Sequence, residues 1–362
     1  MSCPKRIAHG PCGAMWEGLC EVEGEQPCAF VELMAQESSR TKGFDKGFAH
    51  NLSDANAESD CALQSLSPSL PDSTSSTFAK KLNAGQFVVT GEVAPPHGVN
   101  CSEMLESIRT WKPVVDAINI TDNQGATLHL SSLAASRMAL DEGIESIFQQ
   151  TCRDRNRLAL QSDLLAAHTL GLRNFLAVTG DNPPHDASVR RMFDLSSTQL
   201  LQLASNLNKG ANMDGQSIGE PTTFYLGAAA FLDVEPWDAQ LARIAQKIEA
   251  GARFFQTQAI MDIDKVAPRI EQVQALGAKV IPGVLLLKTP RVITFINNRL
   301  EGLHVPEVLK RRIESADDFL AEAIDIAVEQ ARMIAEVADG IHIMPLGEDE
   351  AGIEVIKRAG IR

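Results

Sequence analysis

The chain has 362 residues, 44% of them hydrophobic and 22% charged, and its 47 acids against 33 Lys and Arg give a net charge of -14. That acid excess argues against a protein that tracks a phosphate backbone through clustered Lys and Arg, and it points to a small-molecule substrate with no nucleic-acid partner. No apolar run approaches the ~20 residues needed to cross a bilayer, and Met1-Ser2-Cys3-Pro4-Lys5-Arg6 has no apolar stretch behind its charges, so no membrane association and a cytoplasmic location are expected.

In a reducing compartment the seven cysteines are read as metal or redox groups and not as disulfides. Cys3, Cys12, Cys20 and Cys28 fall within the first 35 residues, a Gly- and Pro-rich stretch with little helical or strand periodicity and no means of building its own apolar core. Four thiolates could organise it around Zn²⁺ or an iron-sulfur cluster. The spacing lacks the C-x-x-C pairs of most such sites, so it leaves a metal centre and free thiols both open. Residues 36–77, dense in Ser, Asp, Asn and Ala and closing on Ser67-Pro68-Ser69-Leu70-Pro71, read as a linker.

From residue 78 onward, short β-rich runs alternate with helical stretches. Eight strands are predicted: Phe87 to Val93, Ala117 to Thr121, Ser146 to Thr151, Phe175 to Thr179, Thr223 to Ala229, Phe254 to Ala259, Val280 to Leu286 and Gly340 to Met344. Between them lie amphipathic helices, with Leu200, Leu201, Ala204 and Leu207, or Leu241, Ile244, Ala245 and Ile248, spaced at three and four residues. Eight β/α alternations over residues 78–362 predict an α/β fold, a (β/α)8 TIM barrel, with two helices between Val305 and Val337. A doubly wound open sheet is the alternative, but no G-x-G-x-x-G follows the first strand.

Barrel chemistry sits at the C-terminal strand ends. The first strand there runs Thr90-Gly91-Glu92-Val93-Ala94-Pro95-Pro96, placing a lone carboxylate where prolines force the chain out of the sheet. Val93 and Ala94 are expected to desolvate Glu92 and suit it to general acid work. A solvated acid at a strand end is the bland reading. Thr121-Asp122-Asn123, Gln149-Gln150-Thr151, Thr179-Gly180-Asp181 and Thr257-Gln258 end later strands, with Lys288 and Phe295 after the seventh. Any one of these could serve only a turn or a cap; Asp181, before Pro183-Pro184, could simply shape its loop.

Taken together, these strings resemble the methylenetetrahydrofolate reductase family of flavin-dependent barrels. The matching segments are Glu92-Val93-Ala94-Pro95-Pro96, Gly180 to Pro184, Lys247-Ile248-Glu249-Ala250-Gly251-Ala252 with Thr257-Gln258, Thr151 to Asn156, Ile281-Pro282-Gly283 and Val305-Pro306. The resemblance implies interconversion of 5,10-methylenetetrahydrofolate and 5-methyltetrahydrofolate through a bound flavin, with NAD(P)H or another donor reducing it. Glu92 would then protonate N10 of the folate, and Asp181 would lie near both pterin and flavin. Gln258 would hydrogen-bond the pterin and Phe295 would stack on substrate. Thr121, Gly180 and Lys247 match flavin contacts, as does the backbone around Ala229.

Some positions depart from the family pattern. Gln149 stands where many members carry a histidine, Thr179 where an arginine is common, and Gln240 and Arg243 where Asp and Asn often hold the ribityl and phosphate groups. FAD is favoured over FMN, with both open. The N-terminal string Cys3-Pro4-Lys5, Gly10-Pro11-Cys12-Gly13, Gly18-Leu19-Cys20-Glu21 and Cys28 resembles the cysteine-rich domain of the partner subunit in one-carbon-pathway reductases. That resemblance implies a metal centre, zinc or iron-sulfur, and with the latter an electron-transfer partner. A homo-oligomer is expected. Two other readings stay open: a flavin-free pterin-binding methyltransferase barrel, and a metal-bearing partner subunit.

Overall fold

The computed structural model describes residues 76–183, 189, 191–299 and 303–362, together with the backbone of 15–16 and 19–20. The chain divides into two compact units, residues 1–68 and 69–362. In the first, Met15–Trp16 pairs antiparallel with Leu19–Cys20. Cys20 therefore lies on a strand; Cys3, Cys12 and Cys28 lie outside the described residues.

The second unit is a closed barrel of eight parallel strands. They are β1 Val88–Val93, β2 Ala117–Ile120, β3 Ser146–Thr151, β4 Asn174–Val178, β5 Tyr225–Ala230, β6 Phe254–Ala259, β7 Lys279–Leu285 and β8 Gly340–Met344. The strand runs read from the sequence coincide with these, most with ends shifted by a residue. β5 shifts furthest: Thr223 has strand propensity, but the Phe224 amide donates to Asn208 Oδ1 at 2.9 Å and the Thr222 amide to Leu207 O at 3.0 Å, so this stretch is tied to a helix end instead of a strand.

The helices are α1 Thr77–Asn83, α2 Ser102–Trp111, α3 Ser132–Asp141, α4 Arg157–Thr169, α5 Ser197–Leu207 and α6 Trp237–Glu249. They continue with α7 Ile263–Ala275, α8 Pro290–Arg299, α9 Glu307–Glu314, α10 Phe319–Val337 and α11 Asp349–Ala359. The expected pair of helices between Val305 and Val337 is α9 and α10. No helix among the described residues is long and apolar enough to cross a membrane.

One end of the barrel is sealed. Ser76 caps α1, its Oγ accepting from the Ala79 amide at 3.0 Å, and Glu145 accepts from the Thr77 amide at 2.6 Å. So anchored, α1 presses Phe78, Ala79 and Leu82 onto the inward residues at the strand starts: Val88, Ala117, Ile147, Leu176, Tyr225 and Phe254. The Phe78 ring meets Phe254 edge-on, with centroids 5.5 Å apart. With this end plugged by apolar side chains, the open end is the one where strands finish.

Candidate active site

Above the apolar floor, strand alternation brings a polar layer inward. Asn119 Nδ2 donates to Gln256 Oε1 at 2.6 Å and Gln256 Nε2 returns a bond to Asn119 Oδ1 at 3.1 Å. Gln256 Nε2 also lies 3.4 Å from Thr90 Oγ1, which lies 3.1 Å from His342 Nδ1. Two residues beyond Thr90 on the same face is Glu92, whose Oε2 is 3.5 Å from His342 Nε2. The expected desolvation of Glu92 by Val93 and Ala94 does not occur. Val93 points to the opposite face and joins the core under the helices, Ala94 is exposed, and the Glu92 side chain keeps 29% of its surface open.

His342 is the functional candidate that sequence reasoning missed. Its one signal was a histidine alternating with Ile341 and Ile343 in a strand, a pattern more often met in an ordinary core.

The loops after β2, β3 and β4 are fastened together. Asp122 accepts from the Thr151 amide at 2.8 Å and from Arg155 Nη1 at 2.7 Å. Arg153, 1% exposed, donates to the Asn123 carbonyl at 3.0 Å and the Asp181 carbonyl at 3.3 Å. Asp181 Oδ2 in turn accepts from the Gly125 amide at 2.8 Å, so it bridges two strand-end loops instead of shaping only its own turn. Burial pushes the neighbouring Cys152 thiol up to about 12, which makes it inert.

Two arcs of candidates surround the mouth. The first runs over β2 to β5. Thr121 is buried and donates to Gln124 Oε1 at 2.8 Å; Gln149 is half-buried; exposed Thr179 donates to Ser197 Oγ at 3.3 Å. Gly180 has φ +90°, and a Cβ there would lie 3.0 Å from both Arg153 and Thr151 Cβ atoms, so only glycine lets the chain pass. The Ala229 carbonyl accepts from Lys247 Nζ at 2.7 Å. Burial, with a smaller contribution from Arg243 one turn earlier on α6, pulls Lys247 down to about 8.

The second arc holds Gln258 and Phe295. A register shift between Gln256 and Ala259 turns this end of β6. Gln258, Leu285, Phe295, Ile296 and Met344, with Arg291, line a largely apolar cavity of about 560 Å³, and Phe295 is 58% exposed. Among the described residues, no group of three or more His, Cys, Asp or Glu side chains is arranged to hold a metal ion.

Comparison with known proteins gives the family. Residues 77–360 match the family model "Methylenetetrahydrofolate reductase", and residues 1–65 match "Methylene-tetrahydrofolate reductase C terminal". Methylenetetrahydrofolate reductase 2 of Saccharomyces cerevisiae is 25% identical over 266 residues, 67% of this chain and 42% of that protein. Methylenetetrahydrofolate reductase (NADH) 1 of Arabidopsis thaliana is 23% identical over 297 residues, 76% of this chain and 49% of that protein. The chain thus spans less than half the length of these relatives.

A solved structure from Clostridium thermocellum, a protein that binds two copies of 5-methyl-5,6,7,8-tetrahydrofolic acid, shares the fold with a TM-score of 0.52 at 16% identity, over 77% of this chain and 97% of that one. On a family match that takes in the barrel from the helix sealing its floor to its last helix, the chain belongs to the methylenetetrahydrofolate reductase family.

Proposed function

We propose that the barrel is an oxidoreductase that interconverts 5,10-methylenetetrahydrofolate and 5-methyltetrahydrofolate. The observation that carries the reading is the placement of Glu92 at the open end, with donor and small residues on the β2 to β5 side and the apolar cavity bearing Gln258 and Phe295 on the β6 to β8 side. A carboxyl there can hand its proton to N10 of a folate, opening the five-membered ring, while Phe295 stacks on the substrate and Gln258 hydrogen-bonds the pterin.

The first arc fits a flavin. It offers a hydroxyl at Thr121, a backbone at Gly180 that no side chain obstructs, and the small residues Ala228 to Ala230. It also holds a half-buried ammonium at Lys247, with a single carbonyl partner among the described residues. Thr121, Gln149, Thr179, Gly180, Ala229, Arg243 and Lys247 would hold the cofactor, with FAD favoured over FMN. When bound, a flavin supplies a two-electron hydride store that NAD(P)H or another donor refills. Asp181 orients the pterin and places a negative charge beside the ring.

The N-terminal unit carries its own proposal. Cys3, Cys12, Cys20 and Cys28 bind one zinc ion or iron-sulfur cluster in residues 1–35, joined through residues 36–77 to the barrel at 78–362; the match of residues 1–65 to a reductase family model supports this reading. Metal analysis of the wild type and of each Cys→Ser variant tests it, with metal lost on any single change and retained when Cys101 or Cys152 is replaced.

An absorption spectrum of the purified full chain, followed by anaerobic mixing with methylenetetrahydrofolate, tests the central reading. Flavin bands that bleach with NAD(P)H and return with the folate are expected. A colourless protein that binds folate would favour a flavin-free methyltransferase-type barrel instead.

A further inference from the structure

His342 is a buried ring with a polar neighbour at each nitrogen. Its side chain is 4% exposed, with Nδ1 3.1 Å from Thr90 Oγ1 and Nε2 3.5 Å from Glu92 Oε2. Thr90 Oγ1 donates to the Ile341 carbonyl at 3.2 Å and accepts from Gln256 Nε2 at 3.4 Å. With its single hydrogen given to the Ile341 carbonyl, the hydroxyl accepts from the ring. In that arrangement Nδ1 carries a hydrogen, and in the neutral imidazole Nε2 is a bare acceptor facing Glu92.

A bare nitrogen facing a bare carboxylate sets two acceptors against each other, and the ring nitrogen, in a side chain only 4% exposed, is left with the cost of an unmade hydrogen bond. One added proton converts that conflict into a bond, either as O–H to nitrogen or as N–H⁺ to carboxylate. The separation of 3.5 Å is a little long for that bond, as catalytic contacts often are before substrate binds.

We infer that Glu92 and His342 hold one proton jointly, and that His342 is the positioning residue which loads and aims the Glu92 acid. The inference rests on the reading of Glu92 as the proton donor to folate. In turnover the shared proton leaves the pair for the substrate nitrogen, an N–H bond forming there as the bond in the pair breaks. The carboxylate left behind faces the bare Nε2 again, and that conflict favours reloading from water at the mouth, to which Glu92 is 29% exposed. Gln256 on β6 braces Thr90 across the barrel and is itself held by Asn119 on β2, the strand beside that of Thr90, so the order runs through four strands to one carboxyl oxygen.

Two measurements test this on the full chain. In protein carrying ¹⁵N-labelled histidine, examined without flavin, the His342 signals are identified by their loss in His342→Gln. Nδ1 should be protonated in the wild type, and the Nε2 signal should move on Glu92→Gln. A neutral ring protonated only at Nε2, or ring nitrogens indifferent to Glu92→Gln, would overturn the shared proton.

The second measurement is kinetic. His342→Asn places an amide where Nδ1 was, still able to meet Thr90 but short of Glu92, whereas His342→Gln reaches the Nε2 position. The folate half-reaction should slow by about 10- to 100-fold in the asparagine variant, in kcat more than KM, and recover to within about fivefold of wild type in the glutamine variant. Flavin reduction by NAD(P)H should stay near wild type in both. Equal losses in both variants, or losses in both half-reactions, would make His342 a structural residue and end the proposal. Should Glu92→Gln turn folate over normally while the ring nitrogens still respond to it, the functional reading of Glu92 fails and the paired proton stands.

Discussion

Lys247 on α6 donates to the carbonyl oxygen of Ala229 at the end of β5, 2.7 Å away, and this bond holds an ammonium against the barrel wall at the cost of most of its hydration. Burial brings its pKa down to about 8, against about 10.4 for a free lysine. Below pH 8 the group is charged in both folded and unfolded chains and its burial cost is fully present. From there to about pH 10.4 the unfolded chain binds the extra proton, so this group's contribution to stability rises with pH.

Lys247→Met is therefore expected to raise the melting temperature of the flavin-free protein at pH 7 while weakening flavin binding by about 10- to 100-fold, the range of one charge-assisted hydrogen bond. Wild-type flavin affinity should fall between pH 7 and 9, and the variant's should not. A titration of flavin into both proteins at the two pH values checks this; equal affinities at pH 7 would remove Lys247 from the flavin site.

Glu92→Gln keeps the size of the side chain and a hydrogen-bonding end but cannot donate a carboxyl proton. Stopped-flow measurements should show NAD(P)H reducing the flavin at the wild-type rate and methylenetetrahydrofolate reoxidising it at least about 10²-fold more slowly. A near-normal second step would show that the proton comes from elsewhere.

Much of the barrel was legible because buried parallel strands are near-continuous apolar runs and their helices keep a 3.6-residue stripe. Strand-end residues such as Glu92, Gly180 and Gln258 could be collected on that basis alone. What joins them could not. His342 reaches Glu92 across 250 positions of sequence, and Asp181 reaches the Gly125 amide across 56, so no local pattern links either pair. Val93 and Ala94 misled for the opposite reason: neighbours in sequence are on opposite faces in a strand, and Glu92's surroundings come from β8.

Asp181 offers two separable properties, a charge and a tie to Gly125. Asp181→Asn retains an oxygen for the Gly125 amide and loses the charge, so the flavin potential should rise by roughly 30–60 mV, the effect of a unit charge several ångströms away at an effective dielectric of about 20. Asp181→Ala loses both, and should add slower folate turnover through a loosened loop. Spectroelectrochemical titration of the three proteins decides; an unmoved potential in Asp181→Asn would place the carboxylate away from the ring.

The sealed end of the barrel should govern acid stability. Asp116, its side chain 1% exposed, accepts from Lys81 Nζ at 2.6 Å and from the Val89 amide at 2.8 Å, and is paired with Arg362. Burial alone would push this carboxyl up, but the bonds from Lys81, Val89 and Arg362 outweigh it and hold the group below the usual carboxylate range. A carboxyl depressed on folding contributes stability that is complete above its unfolded pKa of about 3.9 and is lost as pH falls through the lower folded value. Asp116→Asn should cost about 2 kcal/mol at pH 7, the scale of hydrogen bonds to a charged group, and should flatten the stability curve below about pH 4. Urea unfolding at pH 7 and at pH 3 measures both effects. A variant as stable as wild type at pH 7 would show that Lys81 and Arg362 are satisfied without the carboxylate.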